Sequence, residues 1–294
     1  PTKRKLAGDV LKRLKDRFAP GGLLHYGQGK WYPGEPLPRW ALGCYWRLDR
    51  EPVWHDPALV ADESVSYGYS TDHAQKFATR LAERLNLNPA FAIPAYEDIW
   101  HYLMEEQKLP VNVDPLQKDL KDPEQRHILA RLLDRGLGEV AGYVLPLRAV
   151  TPPALRHTGP RKAQWISGPW PLKRGRLYLL PGDSPMGYRL PLTSLPWAAP
   201  EDVEIELERD PLEARGPMWP AGSSPRASGA PDQRQLSITT SWAVGKSARD
   251  VVRTALCVEV RQGRLHVFMP PQSYLEDYLD LVSAVEQTAA ELQS

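Results

Sequence analysis

The sequence of 294 residues contains little cysteine, almost no net charge and no long apolar run. Its two cysteines, Cys44 and Cys257, are too few for a disulfide framework, which favours a reducing compartment such as the cytoplasm. The 37 Lys and Arg residues are balanced by 36 Asp and Glu residues, so bulk charge gives no reason to expect a nucleic acid partner. No apolar run approaches the roughly 18–20 residues that cross a bilayer, and the basic N-terminus lacks the apolar stretch of a signal peptide. We therefore expect a cytoplasmic protein without a membrane partner.

Proline and tryptophan are abundant instead, at 30 and 10 residues against only 4 phenylalanines. The proline share is roughly twice the usual value of about 5%. A chain with so many turns is not a helical bundle, and the absence of an internal repeat excludes a repeat array.

Apolar periodicity predicts five helices. They are expected at residues 3–18, at 72–85, after Pro94, at 122–136 and from a capping box at Ser273 and Glu276. In the first helix Leu6, Val10, Leu14 and Phe18 recur at every fourth position, and Lys and Arg occupy the other face.

Short alternating runs bounded by Pro and Gly predict strands. The expected strands lie in 44–54, 140–150, 164–170, 176–182, 188–195 and 236–242, followed by a hairpin of 251–260 with 264–270. The fold class is therefore α+β, mainly antiparallel sheet, with helices grouped at residues 3–136 and 273–293. One module is expected from 1–197 and 236–294, with a mobile linker or insert at 198–235.

The loop GQGKWYPGEPLPRW is the densest group of candidate binding residues, namely Gly27, Gly29, Lys30, Glu35 and Arg39. Its glycines let the backbone approach a ligand closely, and the lysine supplies a point charge for phosphate or carboxylate. The glutamate suits Mg²⁺ or a proton, and the arginine suits a bidentate anion contact. A turn-rich loop with solvated charges is the alternative.

A second candidate is the strand end that carries Gly-Asp-Ser, where Ser184 resembles a hydrolase nucleophile. The G-x-S-x-G elbow is absent, and His266 is not preceded by Asp in an Asp-x-x-His pattern. A tight turn after a strand is the alternative, with Asp183 and Arg189 as polar groups that line a site.

Alternation along the C-terminal hairpin places Arg253, Cys257 and Glu259 on one face, where His266 of the partner strand can join them. A guanidinium, a carboxylate and an imidazole on one sheet face suit a metal–nucleotide site, and they suit a solvated face equally well.

A further row, Glu97, His101 and Glu105, has the spacing of one helix face. It is compatible with a metal site or with an exposed charged stripe.

Several strings of this sequence resemble an amidoligase family of unknown function. They are GGLLHYGQGKWYPGEPLPRWALGCYWR (21–47), LPVNVDP (109–115), GYVLPLR (142–148), PGDSPMGYRLPL (181–192) and VRTALCVEVRQGRLHVFMPP (252–271). The resemblance covers nearly the whole chain. In that family an N-terminal transglutaminase-like domain often precedes the module.

The resemblance implies the carboxylate–amine ligase fold of glutamine synthetase and glutamate–cysteine ligase, with ATP and Mg²⁺ as cofactors. Such enzymes activate a carboxylate as an acyl phosphate, from which an amine displaces phosphate. Peptide or small-molecule carboxylates and amines are the implied substrates. Matching polar positions give catalytic Lys30, Arg39, Arg189 and Arg253, nucleotide-binding Gly27, Gly29, Lys30 and Asp183, and metal-binding Glu35 and Glu259.

The sequence also departs from the family pattern. Family members have an acidic strand motif upstream and a Gly-rich, His-containing strand downstream, and both are missing here. We therefore expect a central segment whose partners include the rest of a longer polypeptide. Two other functions stay open: a non-catalytic module that binds peptide or glycan through Trp and Tyr, and a Ser184 hydrolase.

Overall fold

The computed structural model describes residues 2–28, 40–62, 64–98, 104, 138–150, 164–172, 175–181, 188–203 and 245–294. Three long helices lie in this part of the chain: α1 (Thr2–Phe18), α2 (Thr71–Arg84) and α3 (Leu275–Leu292). The first strands are β1 (Leu23–Gln28), β2 (Trp40–Tyr45), β3 (Ile93–Glu97), β4 (Val140–Pro146) and β5 (Arg148–Val150). The others are β6 (Gln164–Ile166), β7 (Leu177–Pro181), β8 (Tyr188–Arg189), β9 (Ala255–Arg261) and β10 (Arg264–Phe268).

A six-stranded sheet in the order β10-β9-β4-β3-β7-β8 forms the centre of the described structure. All its neighbouring strands are antiparallel except β3 and β7, which are parallel. Two smaller antiparallel sheets pair β1 with β2 and β5 with β6. The α+β class with mainly antiparallel sheet, predicted from the sequence, is confirmed.

Helices α2 and α3 cover one face of the central sheet. Ala74, Phe77, Ala78 and Leu81 of α2 are buried because their spacing of three and four residues forms one apolar stripe. The stripe packs on alternate residues of the sheet, such as Tyr143 and Leu256, and on Leu281 of α3. Burial of this apolar surface holds the helices to the sheet.

The opposite face of the sheet has a second apolar cluster. Ala95, Val144, Leu177 and Cys257 project from four strands into this cluster, which also contains Trp170, Leu195, Ala248 and Val251. The indole Nε1 of Trp170 donates a hydrogen bond to the carbonyl oxygen of Val252 at 2.7 Å. The second face is therefore covered by apolar groups along part of its length.

The β9–β10 turn lies where Gln-Gly predicts it. Gln262 and Gly263 both have positive φ, at 50° and 73°. A Cβ at Gly263 would lie 2.2 Å from the Oγ of Ser66, so only glycine fits this position. Its carbonyl oxygen accepts hydrogen bonds from the backbone N–H groups of Tyr67 and Tyr69 at 3.1 and 3.2 Å, which anchor the segment before α2 to the turn.

Helix α1 forms as predicted, but its apolar stripe is not buried. Leu6, Val10, Leu14 and Phe18 are exposed, whereas Leu11 and Ala19 on a neighbouring face are buried. Gly8 lies close to Tyr26 of β1, and a Cβ at Gly8 would be 3.3 Å from the hydroxyl oxygen of Tyr26. Gly8 therefore lies on the side of the helix that faces the β1–β2 hairpin.

Three local predictions are wrong. Residues 93–97 form strand β3 and not the start of a helix, because their backbone pairs with β4 and β7. Strand β2 ends at Tyr45, so residues 46–54, which were expected to contribute strand, form none. Strands β1 and β2 lie in and beside the glycine-rich segment, for which the sequence analysis predicted no strand. Helix α3 begins at Leu275 with Tyr274 as its N-cap, so the predicted N-cap position Ser273 is wrong by one residue.

Other predicted elements lie outside the described residues: the helix at 122–136, the linker residues 204–235 and the strand at 236–242. The proposed division at 198 and 235 therefore stays a prediction. Among the helices that the structure describes, none has the length and apolar character needed to cross a membrane.

Candidate functional site

Strand β9 carries polar side chains on the sheet face that is turned away from α2 and α3. Cys257, Glu259 and Arg261 alternate with Leu256 and Val258, which belong to the helix-covered cluster. Because paired residues of antiparallel strands share a face, the register brings His266 beside Glu259 and Phe268 beside Cys257. The structure therefore gathers the carboxylate and the imidazole that the sequence analysis had placed together.

Glu259, Arg261, His266 and Phe268 form what we call the hairpin patch. The Nη2 of Arg261 lies 3.0 Å from the Oε2 of Glu259. The guanidinium carbon lies 5.0 Å from the centroid of the Phe268 ring, and the His266 ring stacks on the same ring with centroids 6.3 Å apart. A cation, an anion, an imidazole and an aromatic ring thus converge on one area of the sheet.

The hydrogen bond of His266 fixes its tautomer. Nδ1 lies 3.2 Å from the carbonyl oxygen of Arg264, and since a carbonyl only accepts, Nδ1 carries the proton. In the neutral ring Nε2 is then the acceptor. Burial lowers the pKa of His266, and the cation of Arg261 also lowers it, so the neutral form is favoured near pH 7.

Cys257 lies in the same row of side chains but is chemically quiet. Burial raises its pKa to about 12, and the negative charge of Glu259 adds to the rise. Since the thiolate is the nucleophile, this cysteine is a buried apolar group and not a reactive one.

Gly142 lies beside Glu259 on the neighbouring strand β4. A Cβ at this position would lie 2.5 Å from the carbonyl oxygen of Val258 and 3.4 Å from the Cβ of Glu259. The glycine therefore allows the backbones of β4 and β9 to approach closely next to the carboxylate.

Glu97 is a second buried carboxylate on this face, and the sequence analysis assigned it to a helix. It follows Ala95 by two residues on β3 and pairs with Leu179 of β7, and both neighbours belong to the cluster on this face. Ala95 is level with Gly142 and Glu259, so the Cα atoms of Glu97 and Glu259 are about 12 Å apart from standard strand spacings. The alternation of Ile93, Ala95 and Glu97 is the signal that would have found it.

Arg253, predicted to be catalytic, lies at the other end of this row. Its Nη2 donates to the carbonyl oxygen of Pro196. Six residues of extended chain separate it from Glu259, which corresponds to about 20 Å. The two side chains therefore do not meet in this structure, whereas Arg261, which the sequence analysis did not single out, contacts Glu259.

The structure describes only some of the other predicted site residues. Gly27 pairs with Ala41 in the β1–β2 hairpin and Arg189 pairs with Leu180, but the structure describes the backbone alone at these two positions. The remaining candidates lie outside the described residues: Gly29, Lys30, Glu35, Arg39, Asp183 and Ser184. Their predicted roles are untested. Among the described residues, no three His, Cys, Asp or Glu side chains are grouped as a metal centre.

Comparison with known families identifies the group to which the sequence belongs. The family model described as "Putative amidoligase enzyme (DUF2126)" matches residues 1–294, the whole chain. The chain belongs to this family. The amidoligase resemblance drawn from its sequence strings is thereby confirmed. No curated protein matches the chain, and no solved structure matches it either.

Membership of the amidoligase family gives the hairpin patch a chemical context. Amide formation from a carboxylate and an amine needs groups that bind anions and groups that bind cations. Glu259 and Arg261 are an anionic and a cationic side chain in contact with each other, and both lie in the segment that the family model matches.

Proposed function

We propose that the protein is an ATP- and Mg²⁺-dependent amidoligase, or the segment of one that carries part of its active site. In the proposed reaction a carboxylate oxygen attacks the γ-phosphorus of ATP and ADP leaves. An amine then attacks the acyl carbon, phosphate leaves with the electron pair of the broken C–O bond, and the amine loses a proton. The products are an amide, ADP and phosphate.

One observation carries this proposal: the buried carboxylate of Glu259 on the sheet face that is turned away from α2 and α3, in an amidoligase family member. The residue is only 3% exposed. Burial of a carboxylate costs free energy unless it is paired, so its presence here calls for a cationic partner. Arg261 is one such partner, and a divalent cation is a second kind.

The donor chemistry on this face fits Mg²⁺. Mg²⁺ prefers oxygen ligands and is usually held by one or two carboxylates together with water and substrate phosphates. Glu259 and Glu97 are buried carboxylates on the face turned away from α2 and α3. We assign Glu259 and Glu35 as ligands and add Glu97 as a further carboxylate. When bound, Mg²⁺ would neutralise charge on the transferring phosphoryl group.

The other residues of the family strings complete the proposal. The glycine-rich loop would bind phosphates through backbone N–H groups and through the ammonium group of Lys30. Asp183 would orient the nucleotide. The guanidinium groups would balance the charge that develops during phosphoryl transfer. The residues in this last role are Arg39 and Arg189, because Arg253 donates to the carbonyl oxygen of Pro196 and lies far from Glu259.

The test is ADP release from ATP in the presence of Mg²⁺ and panels of carboxylates and amines. We expect ADP only when a carboxylate is present, and amide only when an amine is added. Lys30→Ala and Glu259→Gln should each lower turnover at least tenfold, whereas Glu51→Gln, at an exposed position, should not. Full activity of both site variants would remove the assignment of the active site.

The chain is further proposed to act as the central segment of a longer cytoplasmic polypeptide, in association with a transglutaminase-like domain. The family resemblance supports this. Its test compares ADP release by this chain with release by the longer protein. Equal turnover by both would contradict a segment that lacks part of its metal ligands.

A second function is favoured by an exposed aromatic pair. The rings of Tyr67 and Tyr69 stack with centroids 6.0 Å apart and an angle of 12° between planes, and Tyr67 is 44% exposed. Such a surface suits a non-catalytic module that binds peptide or glycan. If calorimetry detected no binding of nucleotide but the intrinsic fluorescence of the protein changed when peptides were added, the binding function would replace the ligase function. The Ser184 hydrolase is tested by Ser184→Ala, which should abolish any hydrolysis observed.

A further inference from the structure

The side chain of Arg261 folds back over the hairpin patch. In the ladder Arg261 lies opposite Arg264. Its guanidinium nevertheless lies 5.0 Å from the ring of Phe268, four residues further along β10, which is about 13 Å of strand. The side chain therefore runs along the sheet surface and does not extend from the strand end into solvent.

The guanidinium is the outer member of its ion pair. The side chain of Arg261 is 25% exposed, and that of Glu259 is 4% exposed. A ligand that approaches this face therefore meets the cation before the carboxylate. The ring of Phe268 supports the guanidinium through a cation–π contact, and the carboxylate holds it by charge.

The neighbouring arginines are used differently. Arg253 donates to the carbonyl oxygen of Pro196, and Arg264 donates to the carbonyl oxygen of Val65 at 3.2 Å. These two contacts tie loops to the sheet. Arg261 contacts an ionised side chain and an aromatic ring, and its guanidinium presents a planar fork of N–H donors that matches the oxygens of an oxyanion.

From this geometry we propose that Arg261 is an anion-binding residue of the amidoligase site. This inference rests on the proposed function and replaces Arg253 as the cation that acts next to Glu259. The ligand is an oxyanion, either the γ-phosphoryl group of the nucleotide or the carboxylate of the acyl substrate. Both present oxygens in a geometry that the guanidinium fork binds through two hydrogen bonds.

A purely structural role makes a different prediction. If Arg261 only neutralised the buried Glu259, its removal would destabilise the fold, and Glu259→Gln would restore both stability and the binding of inorganic phosphate and acetate without Mg²⁺. If Arg261 binds an anion, the second substitution restores stability alone. The double variant therefore separates the two roles.

The experiment is calorimetric titration of the full chain with a non-hydrolysable ATP analogue plus Mg²⁺, with inorganic phosphate and with acetate. Arg261→Gln should weaken binding of at least one oxyanion tenfold or more. The double variant Arg261→Gln with Glu259→Gln is titrated only with inorganic phosphate and acetate in the absence of Mg²⁺, because Glu259 is itself a proposed Mg²⁺ ligand, and it should remain at least tenfold weaker. Arg264→Gln on the same hairpin is the matched control and should bind like the wild type. Loss with nucleotide and phosphate identifies the phosphoryl group, and loss with acetate identifies the carboxylate.

Thermal denaturation of each variant accompanies the titrations. Arg261→Gln should lower the melting temperature and the double variant should recover it. Arg261→Lys keeps the charge without the fork, so it should stay folded and still bind more weakly than the wild type. Wild-type affinity in Arg261→Gln or Arg261→Lys, or recovered binding in the double variant, would overturn the inference.

Two outcomes separate this inference from the function on which it rests. ADP release by the wild type that Arg261→Gln leaves unchanged would overturn the role of Arg261 alone. Anion binding that depends on Arg261, without ADP release for any carboxylate and amine, would overturn the ligase alone. A wild type that binds none of the three probes would overturn both.

Discussion

Strand β9 is buried on both faces of the central sheet, but one face carries apolar side chains and the other also carries a carboxylate. On β9, Leu256 and Val258 point toward α2 and α3, whereas Cys257 and Glu259 point away, and all four are nearly inaccessible. On the helix-covered face, burial of apolar side chains contributes to stability alone. The opposite face also buries the carboxylate of Glu259 beyond the apolar cluster, and a buried charge needs a partner.

Two buried carboxylates show the same contrast. Glu286 of α3 accepts hydrogen bonds from the backbone N–H groups of His55 and Asp56, at 2.5 and 2.7 Å, and contacts the His55 ring at 3.1 Å. It fastens a loop. Glu259 is contacted by a half-buried guanidinium. A buried acid is therefore evidence of a site only when its partners are themselves able to bind a ligand.

The largest effect should come from the helix-covered face. Leu256→Ala removes a fully buried side chain and should lower the free energy of unfolding by about 2–5 kcal/mol. Urea denaturation measures the loss, with Leu180→Ala, at an exposed position of β7, as the control. Similar small losses for the two variants would mean that this face is not the main core.

Gly142→Ala should have the next largest effect, because its Cβ would meet the Val258 carbonyl oxygen at 2.5 Å. Overpacking of this kind costs about 1–3 kcal/mol. Gly43→Ala is a suitable comparison, since its Cβ would have no neighbour nearer than 3.6 Å. If denaturation shows no difference between these alanines, strands β4 and β9 are not packed as closely as described.

Glu286→Ala and Glu259→Gln should separate stability from binding. The first leaves two backbone N–H groups without their acceptor and should cost about 1–3 kcal/mol, with nucleotide affinity unchanged. The second should weaken nucleotide binding with a smaller loss of stability. Denaturation and calorimetry on both variants give the comparison. The reverse pattern would assign the structural role to Glu259.

The cysteines should differ in alkylation rate with little effect on stability. With a pKa of about 12, on the order of one Cys257 thiol in 10⁴ is ionised at pH 8 in the folded protein. The pKa of Cys44 is also raised by burial, but that residue is only half-buried. Mass spectrometry after iodoacetamide treatment should therefore find Cys44 modified first, and Cys257 only at higher pH or after unfolding. Rapid modification of Cys257 at pH 8 would contradict its burial in the apolar cluster of this sheet face.

Patterns within one segment predicted much of this fold. The β9–β10 hairpin follows from alternation on both sides of Gln262 and Gly263, and α2 follows from the stripe of Ala74, Phe77 and Leu81. Alternation also indicated that Glu259 and His266 share a face. These features depend on contacts between residues close in sequence, which periodicity records.

Features that depend on distant partners were not predictable. Glu97 was assigned to a helix because Pro94 suits a helix start, and only pairing with β4 and β7 makes it a strand residue. In α1 the periodicity predicts an apolar stripe, but that stripe is exposed, and the side of the helix with Gly8 packs against the β1–β2 hairpin. The guanidinium of Arg261 turns back toward Phe268, and no spacing rule gives the direction of a long side chain.

The most direct measurement is a crystal structure of the chain with Mg²⁺ and a non-hydrolysable ATP analogue. The proposed function predicts phosphates on the face of the central sheet that is turned away from α2 and α3, within reach of Glu259 and Arg261. A nucleotide bound on the side of α2 and α3, or away from the sheet altogether, would contradict the amidoligase site described for this protein.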